Sequence, residues 1–244
     1  MTTRIAALQY RPPKGDVPAA REGLCALVEA AAAGGAKLIV GPEMSTTGYV
    51  WGSVDEILEH TEPAEGPTFA ALSAIARAHG AWIVSGFAER APDGRLYNAA
   101  WVIDSNGALQ AVYRKVLLYE LDGNWASAGA RHVVVQTPFG RLAPGICMDL
   151  NDDRFVHAVR KQNVDIVAFC TNWIDEGIDI LPFWRWRLHA WRGWFVAANT
   201  WGEDTGVAFY GRSAILDPSG QVCGEAGPSG DRIVWAEADL PNAT

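Results

Sequence analysis

Apolar residues along this chain fall in short unbroken runs, set apart by turn-forming residues and by longer stretches with helical spacing. Residues 4–9 (RIAALQ) and 37–41 (KLIVG) read as buried strands, because neither shows the alternation of a half-solvated sheet. Between them Asp16 is placed to cap a helix with Pro18 in its first turn, and that helix runs on to Gly34-Gly35. A second helix starts at Thr68 and stops at Gly80, followed by a strand at 82–87 and a turn at Asp93-Gly94. Strands at 97–103 and 108–113 flank Asn106-Gly107, a strong hairpin signal.

The second half repeats this grammar. Runs at 132–137 and 141–146 bracket Pro138-Phe139-Gly140, a helix is expected over 155–162, and an apolar strand over 165–170. A Trp-rich helical stretch follows, then strands at 195–199, 213–217 and 233–237, with Pro218-Ser219-Gly220 as another turn. Hairpins mixed with strand–helix alternation predict mixed sheets with helices outside, an α/β layered fold. The absence of a GxGxxG motif and the number of hairpins argue against a doubly wound dinucleotide-binding pattern. No linker, repeat or low-complexity tract interrupts the 244 residues, so 1–244 reads as one domain.

Charge narrows the partners. The formal net charge of −8 disfavours nucleic acid and a polybasic membrane surface. The opening MTTRIAALQYRPP has too short an apolar stretch for a signal peptide, and the expectation is a cytoplasmic protein with a small-molecule substrate. The four cysteines (Cys25, Cys147, Cys170, Cys223) form no CxxC pair, which speaks against a zinc knuckle or a thioredoxin-type motif. Cys25, Cys170 and Cys223 sit in apolar patterns and read as packing thiols.

Candidate chemistry gathers where strands end. Glu43 follows KLIVGP, Lys115 follows the strand through Tyr113-Arg114, and Cys147 follows RLAPGI. Each has an ordinary structural reading as a cap, a solvated charge or a core thiol. Together they supply a base, an electrostatic stabiliser and a nucleophile without histidine. His132 and His157 flank Cys147 in sequence, but neither is placed for the Cys–His pair of a papain-like hydrolase.

On these stretches the chain resembles the nitrilase, or carbon–nitrogen hydrolase, superfamily. The matching segments are GPEMSTTGY around Glu43, YRKVLLYE around Lys115 and GICMDLN around Cys147. TNW at 171–173, VAANTWGED at 196–204 and YGRSAILDPSGQV at 210–222 extend the likeness from Ile5 to about Asp239. GICMDLN and the Trp125 loop look most like the fungal branch that deamidates N-terminal Asn and Gln.

The resemblance implies an αββα four-layer sandwich and a Glu43–Lys115–Cys147 triad needing no metal or organic cofactor. Cys147 would attack an amide carbonyl, with Glu43 as base and Lys115 and the Met148 N–H holding the oxyanion. Many relatives carry a second active-site acid after the Lys, and Glu120 is favoured here over Asp122. Tyr49, Asn172 and Trp173 are the candidate substrate contacts. Relatives commonly dimerise, so a homodimer or higher homo-oligomer is expected. Trp184, Trp191 and Trp194, spaced as one helical face, are offered as an exposed interface stripe, or else as a wall of the site's mouth. The leading activity is an amidase releasing ammonia from a small amide or amide side chain. Nitrile or N-carbamoyl hydrolysis would use the same triad, and a catalytically idle binding relative is the alternative of another class.

Overall fold

Residues 5–8 show how the molecule is layered. Ile5 and Ala7 join one apolar cluster while Ala6 and Leu8 join another, so both faces of this strand are covered. The structure, a computed structural model, describes residues 2–240. Its elements begin with β1 (Thr2–Gln9), α1 (Val17–Ala33), β2 (Leu38–Val40), α2 (Val54–Ile57), α3 (Pro67–His79) and β3 (Trp82–Arg90). They continue with β4 (Leu96–Ile103), β5 (Leu109–Arg114), β6 (Val135–Thr137), β7 (Gly140–Ile146), α4 (Asp153–Lys161) and β8 (Ile166–Thr171). The last are α5 (Leu181–Leu188), β9 (Trp194–Asn199), β10 (Trp201–Asp204), β11 (Val207–Tyr210), β12 (Ala214–Leu216), β13 (Val222–Glu225) and β14 (Arg232–Asp239).

Two six-stranded sheets result, in the orders β14-β1-β2-β3-β4-β5 and β13-β12-β9-β8-β7-β6. Each has a parallel centre, β1-β2-β3 in one and β7-β8-β9 in the other, flanked by antiparallel strands. One apolar cluster, with Leu38 and Val40 from the first sheet and Ile166 and Ala168 from the second, fills the space between them. A second lies under α1 and α3, with Leu24, Val28, Phe69 and Leu72. A third lies under α4 and α5, with Phe155, Val159, Trp184 and Leu188. The layers therefore run helix, sheet, sheet, helix, as expected.

Local signals explain the boundaries. Asp16 accepts from the Ala19 N–H at the start of α1, and Asp152 accepts from the Arg154 N–H at the start of α4. Gly80 ends α3 in the left-handed conformation (φ 61°), and Gly107 supplies the positive φ of the β4–β5 turn.

The tryptophan stripe is corrected. Trp184 lies on α5, but that helix ends at Leu188, and Trp194 belongs to β9. Trp184, Trp191 and Trp194 are all buried, Trp194 in the cluster between the sheets, so they offer no surface to a partner. The exposed tryptophan of the segment is Trp186, at 61 %. The strand expected from His132 begins only at Val135. Among the described residues no helix is long and apolar enough to cross a membrane.

Candidate active site

Glu43 is delivered by the segment after β2, which lies directly on β3. The Gly86 N–H donates to the Pro42 carbonyl (2.9 Å) and the Ser45 N–H to the Gly86 carbonyl (3.0 Å). A Cβ at Gly86 would sit 2.6 Å from the Glu43 Cα, so this crossing requires glycine. Lys115 follows β5 and is fixed at both ends of its peptide. Its N–H donates to the Asn98 carbonyl (2.8 Å), and its carbonyl accepts from the Gly129 N–H (2.7 Å).

Both side chains are fully buried and meet. Lys115 Nζ donates to Glu43 Oε1 (2.7 Å) and to Asp122 Oδ2 (2.6 Å). Asn98 Nδ2 bridges the same two carboxylates, at 2.7 Å to Glu43 and 3.0 Å to Asp122. Glu43 Oε2 accepts from the Asn172 N–H (2.8 Å), and Asp122 Oδ2 also accepts from the Tyr119 N–H (2.9 Å). The second acid beside the lysine is therefore Asp122. Glu120 is exposed, on the outside of the same loop. Sequence spacing could not separate them, because the turn at 122–124 folds the chain back towards Lys115.

Cys147 follows β7 and opens a 3-10 turn over Cys147–Asn151. Its φ of 42° is a left-handed backbone at a non-glycine residue, which places a side chain at a sharp strand-to-helix corner. Asp149, unremarked in the sequence reading, holds that corner. Its Oδ2 accepts from the Ile146 N–H (3.0 Å) and the Tyr113 hydroxyl (2.7 Å). Its Oδ1 accepts from the N–H groups of Val116 (3.0 Å) and Leu117 (2.9 Å). One buried carboxylate thus ties the cysteine corner to the segment following Lys115. Its place two residues after the cysteine was the only signal.

The electrostatics are those of a closed charge cluster. Burial pushes the Glu43 carboxyl up from its usual range, against the opposing pull of the Lys115 ammonium. Burial pulls Lys115 down, but Asp122 and Glu43 outweigh it and hold its pKa well up, so it stays charged. Burial pushes the Cys147 thiol up to about 12, with Glu43 adding to the rise and Lys115 opposing it. The resting sulfur is thus protonated, and ionising it needs a base.

No histidine forms a hydrogen bond with Cys147 among the described residues. His132 Nδ1 pairs with the Tyr113 hydroxyl (3.0 Å) and its Nε2 with Asp152 (3.3 Å). His157 lies on α4 beside a different groove with Trp186. Among the described residues no cluster of three His, Cys, Asp or Glu side chains is arranged for a metal ion. Cys170 is buried between the sheets, as a packing thiol should be, whereas Cys223 is exposed.

Above Cys147 opens a cleft of about 160 Å³, lined by Tyr49, Tyr119, Met148, Asn172, Trp173 and Glu176 among others. Four candidate contacts, Tyr49, Met148, Asn172 and Trp173, therefore come together at the cysteine. Asn172 and Trp173 arrive from the end of β8, and the Trp173 N–H is held by Asn199 Oδ1 (2.9 Å).

The chain resembles known proteins in sequence and in fold. The carbon–nitrogen hydrolase family pattern matches residues 4–244. A probable nitrilase of Schizosaccharomyces pombe is 28% identical over 254 residues, covering 100% of this chain and 91% of that protein. A Bacillus subtilis 2-oxoglutaramate amidase is 28% identical over 211 residues, covering 84% of this chain and 79% of that one. In fold, the chain is similar to a mutant of the Nesterenkonia sp. AN1 amidase solved with acrylamide added at its active-site cysteine. That likeness has a TM-score of 0.83 at 23% identity, over 98% of this chain and 93% of the other. The chain belongs to the carbon–nitrogen hydrolase family, and it is an enzyme of that class, in the nitrilase superfamily.

Proposed function

We propose that the protein is an amidase that releases ammonia from a small primary amide through a thioester on Cys147. The observation that carries this reading is a cysteine lining a small cleft, with the fully buried Glu43–Lys115 ion pair close enough to act on its thiol. The relatives named as amidases support it.

Glu43 takes the Cys147 proton as the sulfur attacks the amide carbon. Its raised pKa makes it a stronger base than an exposed carboxylate. The oxyanion of the tetrahedral intermediate is held by the Lys115 ammonium and the Met148 N–H. Glu43 then returns the proton to the nitrogen, the C–N bond breaks, and ammonia leaves an acyl-thioester. Glu43 next deprotonates a water, which attacks the thioester; the acid departs and the thiol regains its proton. Asp122 keeps Lys115 charged and aimed throughout, and Asn98 spaces the two carboxylates. Glu120 has no part in these steps. The described chain works as one catalytic unit, since the reacting groups come from both sheets.

The test is ammonia release from a panel of primary amides, nitriles and N-carbamoyl amino acids. Ammonia and the matching acid from amides, lost in Cys147→Ala, are expected. Turnover confined to nitriles, or turnover surviving in Cys147→Ala, would overturn the reading.

A further inference from the structure

The molecule has two neighbouring clefts that share Tyr49 and Asn172, and they differ in charge. The one away from the cysteine, about 250 Å³, holds Arg11 and Lys14 opposite Glu203 and Asp204. Its cations are engaged. Lys14 Nζ is 3.2 Å from Asp204 and donates to the Thr205 hydroxyl (3.0 Å). Arg11 donates to the Glu203 carbonyl (2.5 Å) and lies 5.6 Å over the Trp201 ring.

No cation is among the residues lining the cleft that ends at Cys147; Lys115 lies buried behind Tyr49, paired with Glu43 and Asp122. Among the cleft's described lining residues the only ionised side chain is Glu176, facing a space walled by the rings of Tyr119 and Trp173. Beneath them Asn172 is 2 % exposed, and its Oδ1 has no hydrogen-bond partner. That oxygen is itself closed off from solvent, so Asn172 meets the cleft as part of its floor. The Glu176 loop is anchored at its base, where the Asp175 N–H donates to the Ala208 carbonyl (2.8 Å) and Ile174 bridges to Phe209. Burial raises the Tyr119 phenol, and Glu120 and Glu176 raise it further, so both acids load negative potential on this side of the cleft.

Building on the amidase reading above, we infer that the preferred substrate is a small primary amide bearing a cationic group, an ammonium foremost. An ammonium would find the Glu176 carboxylate and two aromatic faces. A carboxylate in that place would meet Glu176 with no counter-ion. The cleft lies below the roughly 300–1,000 Å³ typical of drug-sized ligands, so the substrate is short. The net charge of −8 adds long-range attraction for a cation.

Three amides of nearly equal size decide the matter: β-alaninamide (cationic), butanamide (neutral) and malonamate (anionic), each assayed for ammonia at pH 7. The expected kcat/KM order is β-alaninamide, butanamide, malonamate, with about a twofold to fivefold step from neutral to cation, the usual scale for one partly exposed ion pair. Glu176→Gln should bring the cation-to-neutral ratio close to one, and high salt should shrink it in the unaltered enzyme. Equal rates for cation and neutral amide, a preference for malonamate, or a ratio unmoved by Glu176→Gln would each overturn the inference while leaving the amidase reading standing. Ammonia from none of the three, while nitriles are hydrolysed, would remove the amidase reading and this inference with it.

Discussion

The two sheets supply unlike halves of the site. The first, with the loop behind β5, supplies Glu43, Lys115 and Asp122, fully buried charges that pair with one another, and Asn98, whose Nδ2 bridges the two carboxylates. The second supplies Cys147, an uncharged thiol on a left-handed residue, 8 % exposed at the cleft. A buried ion cluster holds together only while every member has its partner, so its members are structural as well as chemical. The neutral thiol holds no buried charge in place. Substitutions on the first side should therefore cost stability and rate together, and substitution of the sulfur should cost rate alone.

The largest effect sharpens that split. Cys147→Ala should abolish ammonia release while its melting temperature stays within the few degrees that about 1 kcal/mol produces. Glu43→Gln should lower kcat/KM by about 10²- to 10⁴-fold, the range for a lost general base. Its fold should be disturbed less than that of a lysine variant, because Lys115 keeps Asp122. Lys115→Met should lower kcat by about 10²- to 10³-fold as an oxyanion donor is lost. It should also cost about 3–5 kcal/mol of unfolding free energy in urea titration, since two buried carboxylates lose their shared cation. A Lys115→Met protein as stable as its parent would break the comparison.

Asp149→Asn is a smaller change on the seam between the halves. It exchanges one acceptor oxygen for an amide and should cost about 1–3 kcal/mol of stability. A loosened cysteine corner should lower kcat by up to about 10²-fold while KM moves little. The smallest effect is the pH profile. The base must be ionised to act, and burial raises its pKa, so kcat/KM should fall on acidification with an apparent pKa above the ordinary value of about 4.3. An acid limb below that value would place the working base in a wetter setting than Glu43 occupies.

The sequence made one half of the site more legible than the other. Glu43, Lys115 and Cys147 each follow an apolar run, so strand-end position and residue type were enough to group them. Asn98 was not found, because one polar residue within an apolar strand (LYNAAWVI) carries no mark of what it faces across 55 residues of chain. Asp122 lost to Glu120 because linear spacing cannot show a chain that doubles back. In the fold, strands with two apolar faces and glycine-marked turns were readable. The β10–β11 hairpin was missed although Thr205 and Gly206, both at positive φ, form its two-residue turn. Its strands have only four residues each and β10 (WGED) is mostly polar, so the short VAFY run of β11 had no apolar partner to mark a hairpin. The tryptophans were misplaced for a related reason: helical spacing was extended past Leu188, where the chain turns into β9.

If charges from one sheet drive a nucleophile on the other, turnover passes through a covalent intermediate on Cys147. The enzyme would be quenched in acid during turnover of a cleaved amide and its intact mass read, with the adduct mapped by peptide digestion. One acyl group is expected on Cys147, absent from Cys147→Ala and from quenched enzyme without substrate. Ammonia release with the acyl group on Cys25, Cys170 or Cys223, or with Cys147→Ala still turning over, would contradict it.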